Sequence, residues 1–256
     1  GAGPMNDVSI SFEYNMQNNT ENDILQLPEK IAIEKGIQIV ICIDEFQQIS
    51  DFEDSKTFQK KLRSVWQLQQ HVSYCLFGSK KHLMNELFEK KNLPFYKFGD
   101  AIYLAKIETK YWIEYICKRF ENTGKHISPE LAEEICRLVD NHSSYVQQLS
   151  WLLWIRTINT ATTEQLSYAL EDLLDQNNIL FQSETENLSA YQMNFLKAIV
   201  DGIHTKFSSK EVISKYNLGT SANIVRLKNA LLQKELIETN GKEIVLADPV
   251  FGVWFK

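Results

Sequence analysis

The sequence predicts an α/β unit followed by an all-α segment, with a small unit at the C-terminus that combines helices and a β-hairpin. Two strand-like apolar runs, at residues 37–43 and 72–77, flank a helical pattern. From residue 108 to about residue 181, apolar side chains recur at the helical period. We therefore expect three domains. They cover residues 5–107, 108–185 and 186–256.

The composition is that of an ordinary globular protein. Hydrophobic residues make up 44% of the 256 residues and charged residues 23%, while ten Gly and five Pro are too few for a low-complexity chain. No apolar run approaches the roughly 20 residues that span a bilayer, and the N-terminal region lacks the layout of a signal peptide. We expect a cytoplasmic protein that does not contact a membrane.

Two features are set aside from the functional argument. Residues 1–4 precede Met5 and are interpreted as a cloning remnant. The four cysteines form no C-x-x-C pair, and none lies beside a histidine at metal-ligand spacing, so we expect small buried hydrophobic side chains instead of ligands. They are Cys42, Cys75, Cys117 and Cys136.

The strand pattern of the first domain centres on residues 37–43. This run is almost entirely β-branched and precedes two acidic residues, which is typical of a parallel strand buried on both faces. A helix is expected at 55–70, because five side chains lie on one helical stripe, and a second strand at 72–77. The stripe consists of Phe58, Leu62, Val65, Trp66 and Gln69. Strand, helix and strand in this order predict a βαβ unit with a right-handed crossover.

Three further patterns flank the βαβ unit. Alternating apolar side chains at residues 8–12 indicate a short strand. Residues 21–35 favour a helix, with Pro28 in its first turn. The apolar run at 101–105 predicts a third strand.

Capping signals punctuate the rest of the chain. Ser128 followed by Pro129 marks a helix start, and residues 162–165 fit a capping box. Two more capping boxes are expected at 189–192 and 208–211.

The last 70 residues combine helices with a hairpin. A third helix of this unit is expected at 221–235. Strands at 236–239 and 243–246 then enclose the turn-forming pair Asn240 and Gly241. Three helices followed by a hairpin predict a winged helix-turn-helix.

Acidic and hydroxyl side chains follow the two predicted strands. Asp44 and Glu45 come directly after the first strand, and Gly78 and Ser79 come directly after the second. Ligands of open α/β sheets bind at the carboxyl edge of the parallel strands, so a functional site is expected there. The alternative is that the two acids are solvated or cap the next helix, and that Gly78 and Ser79 form a plain turn.

Four segments carry a family resemblance. They are VICIDEFQQIS (40–50), YCLFGSKKHLMNELFEKKNLPFYKF (74–98), DNHSSYVQQLSWLLW (140–154) and ADPVFGVWFK (247–256). Taken in this order, they resemble the archaeal-type ATPases of the STAND branch of the AAA+ P-loop ATPases, over residues 37–256. The resemblance implies a partial P-loop-type parallel sheet, then a helical lid and a C-terminal winged helix.

The resemblance also implies roles for three residues. Asp44 and Glu45 correspond to the Walker B pair: Asp44 would hold Mg²⁺ through water, and Glu45 would orient the attacking water. Ser79 occupies the sensor-1 position and would contact the γ-phosphate. The implied cofactors are ATP and Mg²⁺, and the implied activity is hydrolysis of ATP in a nucleotide-dependent switch.

The sequence departs from the family pattern in two places. It contains no G-x-x-x-x-G-K-[ST] loop, and residues 5–36 are too few for the P-loop strand, its helix and the next strand. We expect a shortened family member that binds ATP and Mg²⁺ weakly and hydrolyses ATP negligibly. Residues 141–145 stand where relatives carry Gly-His-Pro, and His142 is expected to cap a helix or to pack.

The C-terminal unit offers a non-catalytic function as the alternative. Residues 186–256 hold nine Lys/Arg and seven Asp/Glu, a net charge of +2, against −8 for the rest of the chain. The polar side chains able to reach phosphates or base edges lie on the helix at 221–235 and on the wing. They are Asn223, Arg226, Lys228, Asn229 and Lys242. Because +2 is small for a DNA binder, a protein partner or self-association is favoured over DNA.

Overall fold

The computed structural model describes residues 21–256, apart from the side chains of residues 81 and 82. The described residues divide into two compact units, which separate between Tyr103 and Leu104. The strand expected at 8–12 lies outside the described residues.

The described part of the first unit is an α/β unit, as predicted. Its helices are α1 (Glu21–Lys35), α2 (Ser55–Trp66) and α3 (Lys81–Glu89), its strands are β1 (Ile39–Ile43) and β2 (Val72–Leu76), and a 3₁₀ helix spans Phe46–Asp51. β1 and β2 pair in parallel, from Ile39 opposite Val72 to Ile43 opposite Leu76. Because α2 connects these parallel neighbours, the predicted βαβ unit is confirmed.

The core of the first unit is aromatic. Phe46, Trp66 and Phe95 are buried, and the Phe95 ring lies 5.4 Å from Phe46 and 5.9 Å from Trp66, centroid to centroid. Trp66 also stacks on Tyr74 of β2, with ring centroids 4.1 Å apart. Four residues of the predicted stripe, Phe58, Leu62, Val65 and Trp66, face this cluster and fix the helix against the sheet. The helix ends at Trp66 and not at 70, so the fifth, Gln69, lies beyond α2.

β1 differs from the expectation of a strand buried on both faces. Ile39, Ile41 and Ile43 are half-buried, whereas Val40 is 64% exposed. α1 and the aromatic cluster pack on one face of the sheet, and Val40 points to the other face. A continuous apolar run predicts a strand, but it does not determine how many layers cover that strand.

The expectation of four buried cysteines is wrong for two of them. Cys42 and Cys75 are free, exposed and directly opposite each other in the β1–β2 register. Successive side chains of a strand alternate between faces, so both thiols lie on the exposed face together with Val40. Cys117 is half-buried and Cys136 is buried, as expected.

Two other expectations in this unit are corrected. Pro28 lies inside α1 and not in its first turn, because the helix already begins at Glu21. Residues 101–105 form no strand, and Ile102 and Leu104 are 84% and 93% exposed. This short apolar run lies where the two compact units divide, and nothing in its sequence distinguishes a strand from an exposed connecting segment.

The second unit is helical and ends with a hairpin and a short helix. Its elements are α4 (Thr109–Glu121), α5 (Pro129–Leu138), α6 (Ser143–Arg156), α7 (Thr163–Glu186), α8 (Ala190–Val200), α9 (Lys210–Tyr216), α10 (Ser221–Gln233), β3 (Ile237–Asn240), β4 (Glu243–Leu246) and α11 (Pro249–Trp254). One hydrophobic core extends through the unit, from Trp112 in α4 to Phe251 in α11. None of the helices in residues 21–256 is long and apolar enough to cross a membrane.

The caps of these helices largely follow the sequence signals. Ser128 accepts a hydrogen bond from the Leu131 amide, and Thr162 and Ser189 each form a complete capping box. The box expected at 208–211 is wrong by one residue. Ser209 is the N-cap and accepts from the Val212 amide, so no Glu or Gln occupies the third helical position.

The hairpin pairs β3 with β4 in antiparallel orientation, as predicted. Asn240 pairs with Glu243, so the turn consists of residues 241 and 242, one position later than expected. Gly241 has φ of 60°, a left-handed conformation that glycine adopts without steric cost.

Candidate functional site

Backbone hydrogen bonds place the ends of β1 and β2 at one edge of the sheet. The Phe77 amide donates to the Ile43 carbonyl at 3.1 Å, and the Phe46 amide donates to the Phe77 carbonyl at 3.0 Å. These bonds continue the parallel ladder beyond the strands. They bring Asp44 and Glu45 beside Gly78 and Ser79, as expected for the carboxyl ends of parallel neighbours.

The chain turns sharply at Glu45. Glu45 has φ of 48° and ψ of 41°, a left-handed conformation that costs a non-glycine residue free energy. Its amide donates to Asp44 Oδ1 at 2.8 Å, which fixes one oxygen of that exposed carboxylate. The turn directs the Glu45 side chain toward β2 while the 3₁₀ helix begins at Phe46.

Two side chains hold the Glu45 carboxylate. The Ser79 hydroxyl donates to Oε1 at 3.0 Å and lies 3.2 Å from Oε2. The Gln47 amide nitrogen donates to Oε2. The hydrogen bond from Gln47, followed by that from Ser79, holds the pKa of the Glu45 carboxyl below its usual value, since both donors favour the ionised form.

Gln47 is the residue of this site to which the sequence analysis assigned no role. It is 2% exposed, although it is polar and belongs to a short 3₁₀ helix at the sheet edge. The only sequence signal was its position inside the DEFQ segment, two residues after Glu45.

The oxygen ligands at the sheet edge fit a hydrated magnesium ion. Mg²⁺ keeps several waters and uses one or two protein carboxylates, and Asp44 is exposed at the end of β1. Among residues 21–256, no group of three His, Cys, Asp or Glu residues is placed to hold an ion directly. The exposed Asp44 carboxylate is the group at this edge that could hold such an ion through its water ligands.

The same residues do not fit the triphosphate of ATP. A phosphate cradle needs consecutive backbone amides in a glycine-rich loop and a lysine, and the printed sequence contains no such motif. The described residues therefore bring two carboxylates and a hydroxyl together at one sheet edge, beside no glycine-rich phosphate loop in the sequence.

The residues predicted to contact DNA or a partner differ in exposure along α10 and the wing. Arg226 and Asn229 are exposed on α10, whereas Lys228 is half-buried on another face. Asn223 donates its side-chain amide to the Leu218 carbonyl at 3.1 Å, so it braces the turn before α10. Lys242 is exposed in the wing turn.

His142 occupies the N-cap position of α6 without making a side-chain cap hydrogen bond. Its ring packs on Tyr145, with centroids 4.8 Å apart. Of the two expected roles, packing is therefore the one that its side chain performs.

Comparisons with known proteins agree with this architecture. A family model described as a probable winged helix domain matches residues 179–256, and no curated protein matches the sequence. The structure of the Walker-type ATPase of Pyrococcus abyssi is similar, with 16% identity and a TM-score of 0.73, over 97% of this chain and 72% of that chain. At this identity the likeness shows the fold. The chain has the fold of a Walker-type ATPase with a C-terminal winged helix domain.

Two further solved structures align over most of the chain. The ORC2 protein of Aeropyrum pernix is 12% identical, with a TM-score of 0.47, over 95% of this chain and 72% of that one. The RuvB Holliday junction branch migration motor of Thermotoga maritima is 13% identical, with a TM-score of 0.43, over 89% and 72%. Similarities of this size carry no argument about this chain.

Proposed function

We propose that this protein is a nucleotide-dependent switch of the ATPase type, with Asp44 and Glu45 as its Walker B pair and Ser79 as its sensor. One observation carries the proposal: the Ser79 hydroxyl, at the end of β2, donates to the Glu45 carboxylate, at the end of β1. Through this direct contact, a ligand that moves one of the two residues would also move the other. The Walker-type fold supports this reading.

Each residue has a separate task in this proposal. Asp44 offers an exposed carboxylate to the water ligands of Mg²⁺, and the Glu45 amide orients it. The magnesium ion supplies charge neutralisation at the phosphates when it is bound. Glu45 is ionised at neutral pH, and Gln47 and Ser79 already donate to its carboxylate. Each carboxylate oxygen can accept a further hydrogen bond, so Glu45 can orient a water while both residues hold it.

The printed chain is proposed to bind ATP poorly and to hydrolyse it negligibly, because the phosphate cradle is missing from its sequence. The experiment is isothermal titration with Mg-ATP of this chain and of a version preceded by a strand and helix that carry the G-x-x-x-x-G-K-[ST] loop. We expect only the extended version to bind. Its turnover should fall by about 10²- to 10⁴-fold in Glu45→Gln, with unchanged binding.

Glu53→Gln is the matched control, because Glu53 is an exposed carboxylate of the same unit. It should leave turnover unchanged. Micromolar binding and turnover by the printed chain would contradict the missing-cradle argument. If neither version binds Mg-ATP, the nucleotide switch itself is wrong.

As a second candidate function, we propose that the winged helix contacts a protein. Val225 is 62% exposed beside the exposed Arg226 on α10, so this surface is partly apolar. We expect Val225→Glu to abolish any self-association seen by light scattering. We expect duplex DNA to bind with a Kd no lower than the about 10⁻⁴–10⁻⁶ M of non-specific binding. Tight DNA binding that Arg226→Ala abolishes would replace this proposal with the DNA alternative.

A further inference from the structure

Gln47 is an unusual residue to find buried at the edge of this site. It lies in the 3₁₀ helix between the buried side chains of Phe46 and Ile49, and its own side chain is 2% exposed. Burying a carboxamide is unfavourable unless its polar atoms are hydrogen-bonded. The burial of the Gln47 amide must therefore be explained by the hydrogen bonds that it makes.

Only one half of the Gln47 amide is bonded. Its nitrogen donates to Glu45 Oε2, while its Oε1 is buried with no hydrogen-bond partner. An ionised carboxylate only accepts hydrogen bonds, so the nitrogen, and not the oxygen, has to face Glu45. Directing the nitrogen at that carboxylate leaves the oxygen buried without a hydrogen bond, which is unfavourable.

Gly78 provides the space for the unpaired oxygen. A Cβ atom at residue 78 would lie 1.9 Å from Gln47 Oε1 and 3.0 Å from its Cδ. Gly78 does not have a left-handed backbone conformation, so its backbone could accept another residue type. What excludes a larger residue there is the lack of space for a Cβ atom. The residue before the sensor serine therefore determines whether the amide can stay in place.

We propose that Gln47 is the positioning residue of this site: its buried amide holds the Glu45 carboxylate against Ser79, and Gly78 is required because it leaves room for that amide. The Glu45 carboxylate is then held by two elements: by Gln47 of the 3₁₀ helix and by Ser79, which follows β2. The Glu45 carboxylate can leave this position only if the 3₁₀ helix or the end of β2 moves. The site thereby has a built-in resting position.

This proposal rests on the proposed function for the meaning of Glu45, but its test needs no nucleotide. NMR relaxation of the Glu45 side chain is measured in the free protein, at constant neutral pH. In Gln47→Met, which keeps the length of the side chain and removes the donor, the order parameter of the Glu45 side chain should fall clearly below the wild-type value. Gln48→Met, at the exposed neighbouring residue, is the matched control and should change nothing.

Gly78→Ala tests the second half of the proposal. It should loosen Glu45 as Gln47→Met does, and the double variant should loosen it no further, because both changes remove the same hydrogen bond. Gly99→Ala is the control, since nothing lies within 4 Å of a Cβ at that position. A Gly78→Ala variant that keeps the wild-type Gln47 amide signals would overturn the role of Gly78.

A measurement on the unchanged protein covers the case in which the variants do not fold. The side-chain amide protons of Gln47 should exchange with solvent at least about 10-fold more slowly than those of Gln48, because they are buried and bonded to a carboxylate. Equal exchange rates would overturn the proposal, and so would an unchanged Glu45 order parameter in a folded Gln47→Met variant. A failure of Mg-ATP to bind the extended chain would remove the nucleotide switch and leave these results standing.

Discussion

The two units of the chain differ in how they are held together. In the first, a cluster of aromatic rings packs under one face of a two-stranded sheet, and Val40 and two thiols on the other face are exposed. In the second, one hydrophobic core reaches from α4 to α11. The candidate nucleotide site lies in the first unit, at the end of two five-residue strands.

This difference predicts how each unit responds to substitutions. The site depends on the strand edge and on a few polar side chains, so changes there should alter function more than folding. In the second unit, the helices and the hairpin share one core, so a single large cavity should affect the whole unit.

The largest effect is expected for Phe251→Ala in α11. Phe251 is 1% exposed, and its ring lies 5.4 Å from that of Phe181 in α7, edge to face. Removing it should lower the free energy of unfolding by about 3–5 kcal/mol, measured by urea denaturation. Val225→Ala, at an exposed position of the same unit, should change it by less than about 0.5 kcal/mol. A loss below about 1 kcal/mol for Phe251→Ala would mean that α11 is not part of the shared core.

The next effect concerns thiol reactivity. Cys42 and Cys75 are exposed, whereas Cys136 is 0% exposed and burial raises its pKa to about 11. At pH 8 this raised pKa leaves about 100-fold less thiolate at Cys136 than the starting value of 9.0 would. Labelling with a disulfide reagent, followed by peptide mass spectrometry, should therefore modify Cys42 and Cys75 at least about 100-fold faster than Cys136.

Cys117 provides an internal reference, because it is half-buried and burial also raises its pKa. It should react at a rate between those of the exposed pair and Cys136. Protection of both Cys42 and Cys75 in the native protein would show that the open sheet face is covered in solution. The contrast between the two units would then disappear.

The helices of the second unit could be predicted because their signals are local. Ser128, Thr162 and Ser189 cap helices as their neighbours in sequence indicate, and the helical period alone defines α4 to α7. Capping bonds join residues three apart, so the sequence contains all of the information they need.

The misjudged features of the first unit depend on contacts that are distant in sequence. The exposure of Cys42 depends on what covers the sheet, and residues 101–105 would be a strand only beside a partner. At the site, the nearness of Glu45 to Ser79 followed from the parallel topology, which the sequence predicted, although the hydrogen bond between them was not predicted. The role of Gln47 did not, because it depends on the left-handed turn at Glu45 and on the space at Gly78.

A smaller effect separates two adjacent serines before α9. Ser209 accepts a hydrogen bond from the Val212 amide, whereas Ser208 is exposed and precedes the cap. Ser209→Ala should lower the free energy of unfolding by about 1 kcal/mol, and Ser208→Ala should stay within about 0.5 kcal/mol of the wild type. Chemical denaturation of both variants checks the difference. The reverse order would restore the capping box at 208–211 that the sequence indicated.

The smallest effect is expected for the carboxylate that ties α1 to the start of β2. Glu29 accepts hydrogen bonds from the His71 ring, at 2.9 Å, and from the backbone amides of Gln70 and His71. The bond to the His71 side chain, followed by those from the two amides, holds the pKa of Glu29 below the ordinary value of 4.5. A carboxyl with a lowered folded-state pKa stabilises the protein above pH 4.5 and loses this contribution as the pH falls through its folded-state pKa.

Glu29→Gln should therefore destabilise the protein at pH 7, and the difference from the wild type should shrink once the pH falls below 4.5. The free energy of unfolding at several pH values measures this directly. Glu34→Gln is the matched control, because its carboxylate lies exposed on the same helix, and it should change the free energy of unfolding at pH 7 by less than about 0.5 kcal/mol. A constant difference for Glu29→Gln across this range would mean that Glu29 acts through shape and neutral hydrogen bonds alone. In that case the first unit would be held by its aromatic cluster without this electrostatic tie between α1 and the sheet.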